Sequence, residues 1–240
     1  MEKDMRQNYD FLKIEKEKSK VDIVMSKIRD SLLEKHLLPG DKLPSESDLT
    51  KSFSISRGSI REAMKILSAF GIIDIKRGDG TYISKTEKKI PFDPLLFSLI
   101  VSYKNFKELF ELRELMELSI VRLIIKNAGN KEFKEIEKTL LEMKKGFTSD
   151  HRKDYKVTAM EDIKFHIALG KATCNSLVEK LYSFTLDLYK DSIETTHKNQ
   201  VKAEKAIQFH ENIYNALVEK NIEKAVKAIE ESMESWKLLL

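Results

Sequence analysis

The sequence predicts a mainly α protein in two parts, an N-terminal winged helix-turn-helix domain and a C-terminal all-α helical bundle. Three observations predict it. Residues 42–67, KLPSESDLTKSFSISRGSIREAMKIL, hold two short helical patterns joined by a tight turn. Residues 72–83 hold two β-prone runs around a glycine-containing turn. Beyond Pro94 there is no further proline, glycine becomes rare, and apolar residues recur at helical spacing to the end.

Composition sets the frame. The chain has 240 residues, 34% charged and 41% hydrophobic, with eight glycines and four prolines. That suits a helix-rich globular protein of one large or two modest domains. The formal net charge of +4 is too small to imply a nucleic-acid partner by itself. Any DNA binding must come from local placement of Arg and Lys. Cys174 stands alone, which rules out an intramolecular disulfide and fits a reducing cytoplasm. No apolar run approaches the length of a membrane span, and the charged start MEKDMRQNYD lacks a signal-peptide core. A cytoplasmic, bacterial protein is expected, with no membrane partner.

In chain order, residues 1–18 are read as a frayed or partly helical extension, and residues 19–85 as the winged domain. Val21, Val24, Met25, Ile28, Leu32 and Leu33 predict a helix over 19–36, ended by Leu37-Leu38-Pro39-Gly40. Ser45 caps a second helix from Glu46 to Phe53, Ser54 to Ser56 turn the chain, and a third helix starts near Arg57. On that helix Arg57, Arg61 and Lys65 share one face, while Ile60, Ala63, Met64 and Leu67 fall on the other. Such a helix can pack on a core and lie in a DNA major groove. Gly71 stops it near Ala69. Ile72–Lys76 and Thr81–Ile83 then flank Arg77-Gly78-Asp79-Gly80, a hairpin that serves as the wing. Residues 86–94 are the linker, polar and broken by two prolines. Residues 95–240 form the helical domain, with helices expected over 105–128, 131–147, 152–172, 175–197, 200–219 and 222–239. Asn130, Asn175 and Asn221 sit near the breaks.

The ordered set LPSESDL, SISRGSIREAMKIL and GIIDIKRGDGTYI resembles the GntR family of bacterial transcription regulators. The helical remainder resembles the FadR-type subgroup, whose C-terminal half is an all-helical ligand-binding domain. The resemblance implies DNA contacts from Ser47, Ser56, Arg57, Gly58, Ser59, Arg61, Arg77 and Gly78. The chemistry agrees, because guanidinium forks grip guanine edges or phosphate, and a helix N-terminus favours phosphate. Ser47 is a departure, since the family usually has arginine there.

Asp162 and His166 lie four apart on one expected helix, so both side chains can meet one ion. His210 sits on a later helix beside Phe209, Ile213 and Leu217 and can point inward. The resemblance implies a divalent metal of the zinc or nickel class, held by Asp-x3-His and two more histidines. The fourth position falls at Ser232, a poor ligand, so the set is incomplete. Either three protein ligands hold the metal, or the pocket works without it and His166 and His210 donate hydrogen bonds. His36, His151 and His197 receive no role. Arg113 corresponds to a family arginine that faces the effector, which with Ser232 would line a site for a small carboxylate. The other reading of Arg113 is a surface ion pair with Glu117.

The function expected is a ligand-responsive transcription regulator, a repressor that binds a palindromic operator in double-stranded DNA as a homodimer. The alternative is a metal-dependent enzyme built on Asp162, His166 and His210. Against it, the chain has no H-E-x-x-H helix, nucleophile elbow or glycine-rich phosphate loop. A helical scaffold would leave Arg57, Arg61 and the wing unexplained.

Overall fold

The computed structural model describes residues 18–85, 98–99, 101–102, 105–148 and 154–237. The chain divides into two compact units, Met1–Pro94 and Leu95–Leu240. The N-terminal extension and the linker lie outside the described residues.

In the first unit, α1 spans Lys20–Leu33. Ser19 and Asp22 form a reciprocal capping box at its start. The helix stops three residues short of the expected end at His36. Lys35 takes a left-handed conformation (φ 60°), and the amides of Lys35 and His36 turn back to the carbonyls of Leu32 and Ser31. The turn therefore comes before Pro39 and Gly40 are reached, and it swings Leu37 onto the domain core. Next come α2 (Glu46–Phe53) and α3 (Arg57–Ala69). Ser54 (φ 54°) supplies the sharp turn between them. Gly71 (φ 67°) ends α3: its own amide bonds Ser68 O, and the amide of Ile72 bonds Leu67 O. That double closure is the Schellman motif, which needs a left-handed residue at Gly71's place.

The wing is an antiparallel pair, β1 (Ile73–Lys76) and β2 (Gly80–Ile83), in the register Ile73 to Ile83 and Lys76 to Gly80. Leu43 N and Gly40 N bond β2 carbonyls, which ties the lead-in to α2 onto the wing. Ile60, Ala63, Met64 and Leu67 of α3 are all buried, against α1, Leu49 and Ile73. The apolar side of α3 is thus the core side, as its spacing predicts.

The described residues of the second unit include the helices α4 (Phe106–Asn127), α5 (Asn130–Thr148), α6 (Tyr155–Ala172), α7 (Ser176–His197), α8 (Gln200–Val218) and α9 (Ile222–Lys237), and no strand. The bounds agree with the sequence reading to within a few residues, because polar caps mark the starts. Asn105, Asn175, Asn199 and Asn221 each accept a backbone amide of the following turn. Helix α6 packs against α4, α5 and α7, and α9 against α4 and α8. Small residues let α6 lie so deep. A Cβ on Gly170 would come within 3.1 Å of the Tyr182 ring, so glycine there lets α7 approach closely. No helix among the described residues is long and apolar enough to cross a membrane.

Candidate functional site

Two groups of residues carry chemistry, one in each unit. In the first unit α3 presents one basic face to solvent. Arg57, Arg61 and Lys65 are exposed, with Ser56 and Gly58 beside them and Ser59 partly covered. Ser56 caps the helix, its Oγ accepting the Ser59 amide at 3.2 Å. The first turn of α3 has no acidic residue, whereas that of α2 has Glu46 and Asp48. The positive end of the α3 dipole is therefore left uncompensated by its own side chains, which suits a phosphate. Arg61 donates from Nε to Glu46 Oε2 at 3.3 Å, a contact that spacing along the chain does not reveal. Both partners are largely exposed, so the pair is weak and can exchange for a phosphate or a base edge. Ser47, half-buried, sits in the first turn of α2. Arg77 and Gly78 are exposed in the loop between β1 and β2, where Gly78 takes φ 76°.

In the second unit, Asp162 and His166 of α6 meet His210 of α8, and all three are buried. Asp162 Oδ1 lies 3.3 Å from His166 Nε2 and 3.9 Å from His210 Nε2, and the two Nε2 atoms are 3.3 Å apart. Ligands bound at about 2.1 Å with tetrahedral angles stand about 3.4 Å from one another. The spacing therefore fits one ion of the zinc class. Asp162 Oδ1 and His210 Nδ1 are also buried without a hydrogen-bond partner.

The surrounding groups decide where the protons sit. Arg113 Nη2 lies 3.2 Å from His166 Nε2, and a guanidinium can only donate. His166 Nε2 is thus the acceptor, and the ring proton lies on Nδ1. That proton goes to Tyr182 Oη at 2.8 Å, and the phenol donates to Glu117 Oε1 at 3.3 Å. This chain of donors keeps a proton off the nitrogen that faces Asp162 and His210; its lone pair accepts from Arg113, which an ion would have to displace.

Charge is balanced locally. Arg113 and Glu117 pair at 2.8 Å with side-chain exposures of 7% and 2%, so the pair is a buried one and not the surface pair. Burial alone would lower the Arg113 pKa, but Glu117 outweighs it and the group sits above its ordinary value. Glu117, which burial would raise, is held below its ordinary value by Arg113. Burial also works to raise the Asp162 carboxyl, yet His210, His166 and His197 together hold it well below the usual range. Burial pushes the His210 imidazole down to about 4, so it is neutral at pH 7 and free to coordinate.

A small cavity, partly open to solvent, adjoins this cluster. Asp162, His210, Arg113, Ser232, Lys202 and Trp236 help to line it. Arg113 is stacked 4.6 Å from the Trp236 ring. Sequence reading named Glu117 only as a surface partner of Arg113, although its burial was readable. It shares the α4 stripe of Arg113, Ile120, Val121 and Ile124, all buried, so a core location was readable. Tyr182, Lys202 and Trp236 have only their helical stripes to mark them. His197, given no role on sequence, lies 2.9 Å from Asp162 Oδ2. His36 is at the surface beside Glu34, and His151 lies outside the described residues.

Comparison with known proteins gives both units a family. Residues 20–83 match the model for bacterial regulatory proteins of the gntR family, and residues 108–235 match the FCD domain. The chain is 30% identical over 190 residues to the HTH-type transcriptional regulator LutR of Bacillus subtilis (strain 168), covering 77% of this chain and 84% of that one. It is 29% identical over 207 residues to the Uxu operon regulator of Haemophilus influenzae, covering 84% and 74%. A solved structure, Streptococcus agalactiae GntR, superposes with a TM-score of 0.61 at 28% identity, over 90% of this chain and 97% of that one.

Proposed function

Because the chain belongs to the gntR family of bacterial regulatory proteins, in its FCD-domain branch, we propose that it is a repressor that leaves its operator when a small carboxylate binds the helical domain. DNA binding and transcription regulation follow from the family. Its families and relatives are regulators and not enzymes, so the metal-dependent enzyme alternative falls away.

The observation that carries the reading is the convergence of Asp162 Oδ1, His166 Nε2 and His210 Nε2 at ligand spacing beside a cavity that also holds Arg113. Those three residues would hold a divalent ion of the zinc or nickel class. Such an ion supplies a fixed positive charge and a Lewis acid for a carboxylate oxygen. Ser232 in place of a fourth histidine leaves a coordination position for water or the effector. Arg113, held flat on Trp236 and paired with Glu117, presents a second, pre-oriented cation to the same acid. Hydroxy acids and sugar acids match this chemistry, having a carboxylate beside hydroxyl oxygens.

On the DNA side, Arg57 and Arg61 read the major groove, Ser56 and Ser59 hold phosphate at the α3 N-terminus, and Arg77 reaches from the wing. One winged helix covers few base pairs, so two copies on a palindrome double the specific contact. Repression asks only that the operator be occupied. The effector acts through unequal affinity for the DNA-competent and DNA-incompetent forms.

The test is operator release, followed by fluorescence anisotropy while a panel of small hydroxy acids and sugar acids is titrated against the zinc-loaded protein. At least one acid is expected to weaken DNA binding by roughly 5–150-fold, the usual range of such coupling. Asp162→Ala should abolish that response and leave DNA binding without effector intact. A panel in which no acid shifts the curve would refute the carboxylate reading.

A further inference from the structure

His197 closes α7, 35 positions from Asp162 along the chain, and its side chain is fully buried. Its two ring nitrogens have different partners. Nε2 lies 2.9 Å from Asp162 Oδ2, and Nδ1 lies 3.1 Å from Thr158 Oγ1. Asp162 settles the direction of the first bond. A carboxylate oxygen only accepts, so Nε2 donates. Nε2 therefore carries a ring proton, and Nδ1 pairs with the Thr158 hydroxyl, which also reaches the Tyr155 carbonyl at 3.0 Å.

With Nε2 given to Asp162 and Nδ1 to Thr158, His197 has no free nitrogen to offer a cation. It does not replace the ligand missing at Ser232. What it does is occupy Oδ2 of Asp162. The other oxygen, Oδ1, makes no hydrogen bond and faces the Nε2 atoms of His166 and His210. The carboxylate could otherwise spin about its last torsion and offer either oxygen, or both, to an ion.

We propose that His197 is the positioning residue of the metal site, locking Asp162 as a one-oxygen ligand, with Thr158 locking His197 in turn. This rests on the reading of Asp162, His166 and His210 as metal ligands. His166 is held in the matching way, through Tyr182 and Glu117. Two of the three ligands are thus oriented by hydrogen bonds from α7, although α7 itself contributes no ligand.

The experiment measures zinc affinity of the full chain by competition with a chelating dye, with thermal melting in excess chelator alongside. His197→Leu removes the Nε2 donor and is expected to weaken zinc binding roughly 10–100-fold. His197→Gln keeps an amide N–H within reach of Oδ2 and should bind within about threefold of wild type. Thr158→Val should fall between them. A His197→Leu protein that binds zinc like wild type overturns the assignment, and so does a His197→Gln protein as weak as His197→Leu, since volume and not the donor would then matter. Should His197→Leu fail to fold, Thr158→Val decides, and unchanged affinity there overturns the proposal. A wild-type protein that binds no zinc overturns the metal reading and this assignment together. Unchanged affinity in the variants overturns the assignment alone.

Discussion

Burial of His210 has a consequence for stability. Its ordinary pKa is 6.5 and burial lowers it to about 4 in the folded chain. Between those values the unfolded chain binds a proton that the folded chain does not. Stability therefore rises with pH from about 4 to about 6.5 and is complete above that. The contribution is roughly 3 kcal/mol at most. Asp162, depressed by its imidazole neighbours, adds a loss of the same sign at lower pH. Denaturant melts of the metal-free protein at pH 4, 5, 6 and 7 should show this slope, and His210→Gln should flatten it. Equal slopes in both proteins would contradict the assignment. Ser232 gives a second residue-scale prediction. It stands where the family resemblance places a fourth ligand, and it lines the cavity with Asp162 and His210. Ser232→His should therefore raise zinc affinity by at least roughly tenfold, since a fourth nitrogen closes the coordination shell. No gain by dye competition would mean that α9 does not reach the ion.

At the scale of elements, each helix places chemistry by a rule that differs in how far it can be read from sequence. Asp162 and His166 share a face because they are four apart on α6, and that was legible at once. The starts of α7 and α9 were legible too, because Asn175 and Asn221 satisfy the first free amides there. The end of α1 was not legible. Lys35 carries no mark of the left-handed turn it makes, and Pro39 with Gly40 drew the boundary too late. His197 and Tyr182 were silent for another reason. Their roles arise from how closely α7 crosses α6, which Gly170 permits, and no local pattern encodes that contact. The wing makes its own prediction. Arg77 stands exposed at its tip, so its contact is with phosphate or a minor-groove edge. Arg77→Ala should weaken DNA binding across sequences and lower the slope of log affinity against log salt by about 1. An unchanged slope would remove the wing from the interface.

At the scale of the whole molecule, the two units answer to different partners. The first has an apolar side to α3 that builds a core and a basic side left exposed. The second spends its core on a buried ionic cluster, an expensive arrangement unless the cluster binds something. A regulator needs both, one unit to find DNA and one to report on a metabolite. Of these, DNA reading by α3 is the claim on which the others depend. The most direct measurement selects duplexes from a random pool with the wild-type protein and with the Arg57→Ala, Arg61→Ala double variant. The wild type should enrich an inverted repeat whose half-sites lie about one helical turn, or a multiple of it, apart. The double variant should enrich nothing, having lost about 1–3 kcal/mol of discrimination at each arginine. Enrichment of the same repeat by the double variant, or of no repeat by the wild type, would contradict the account.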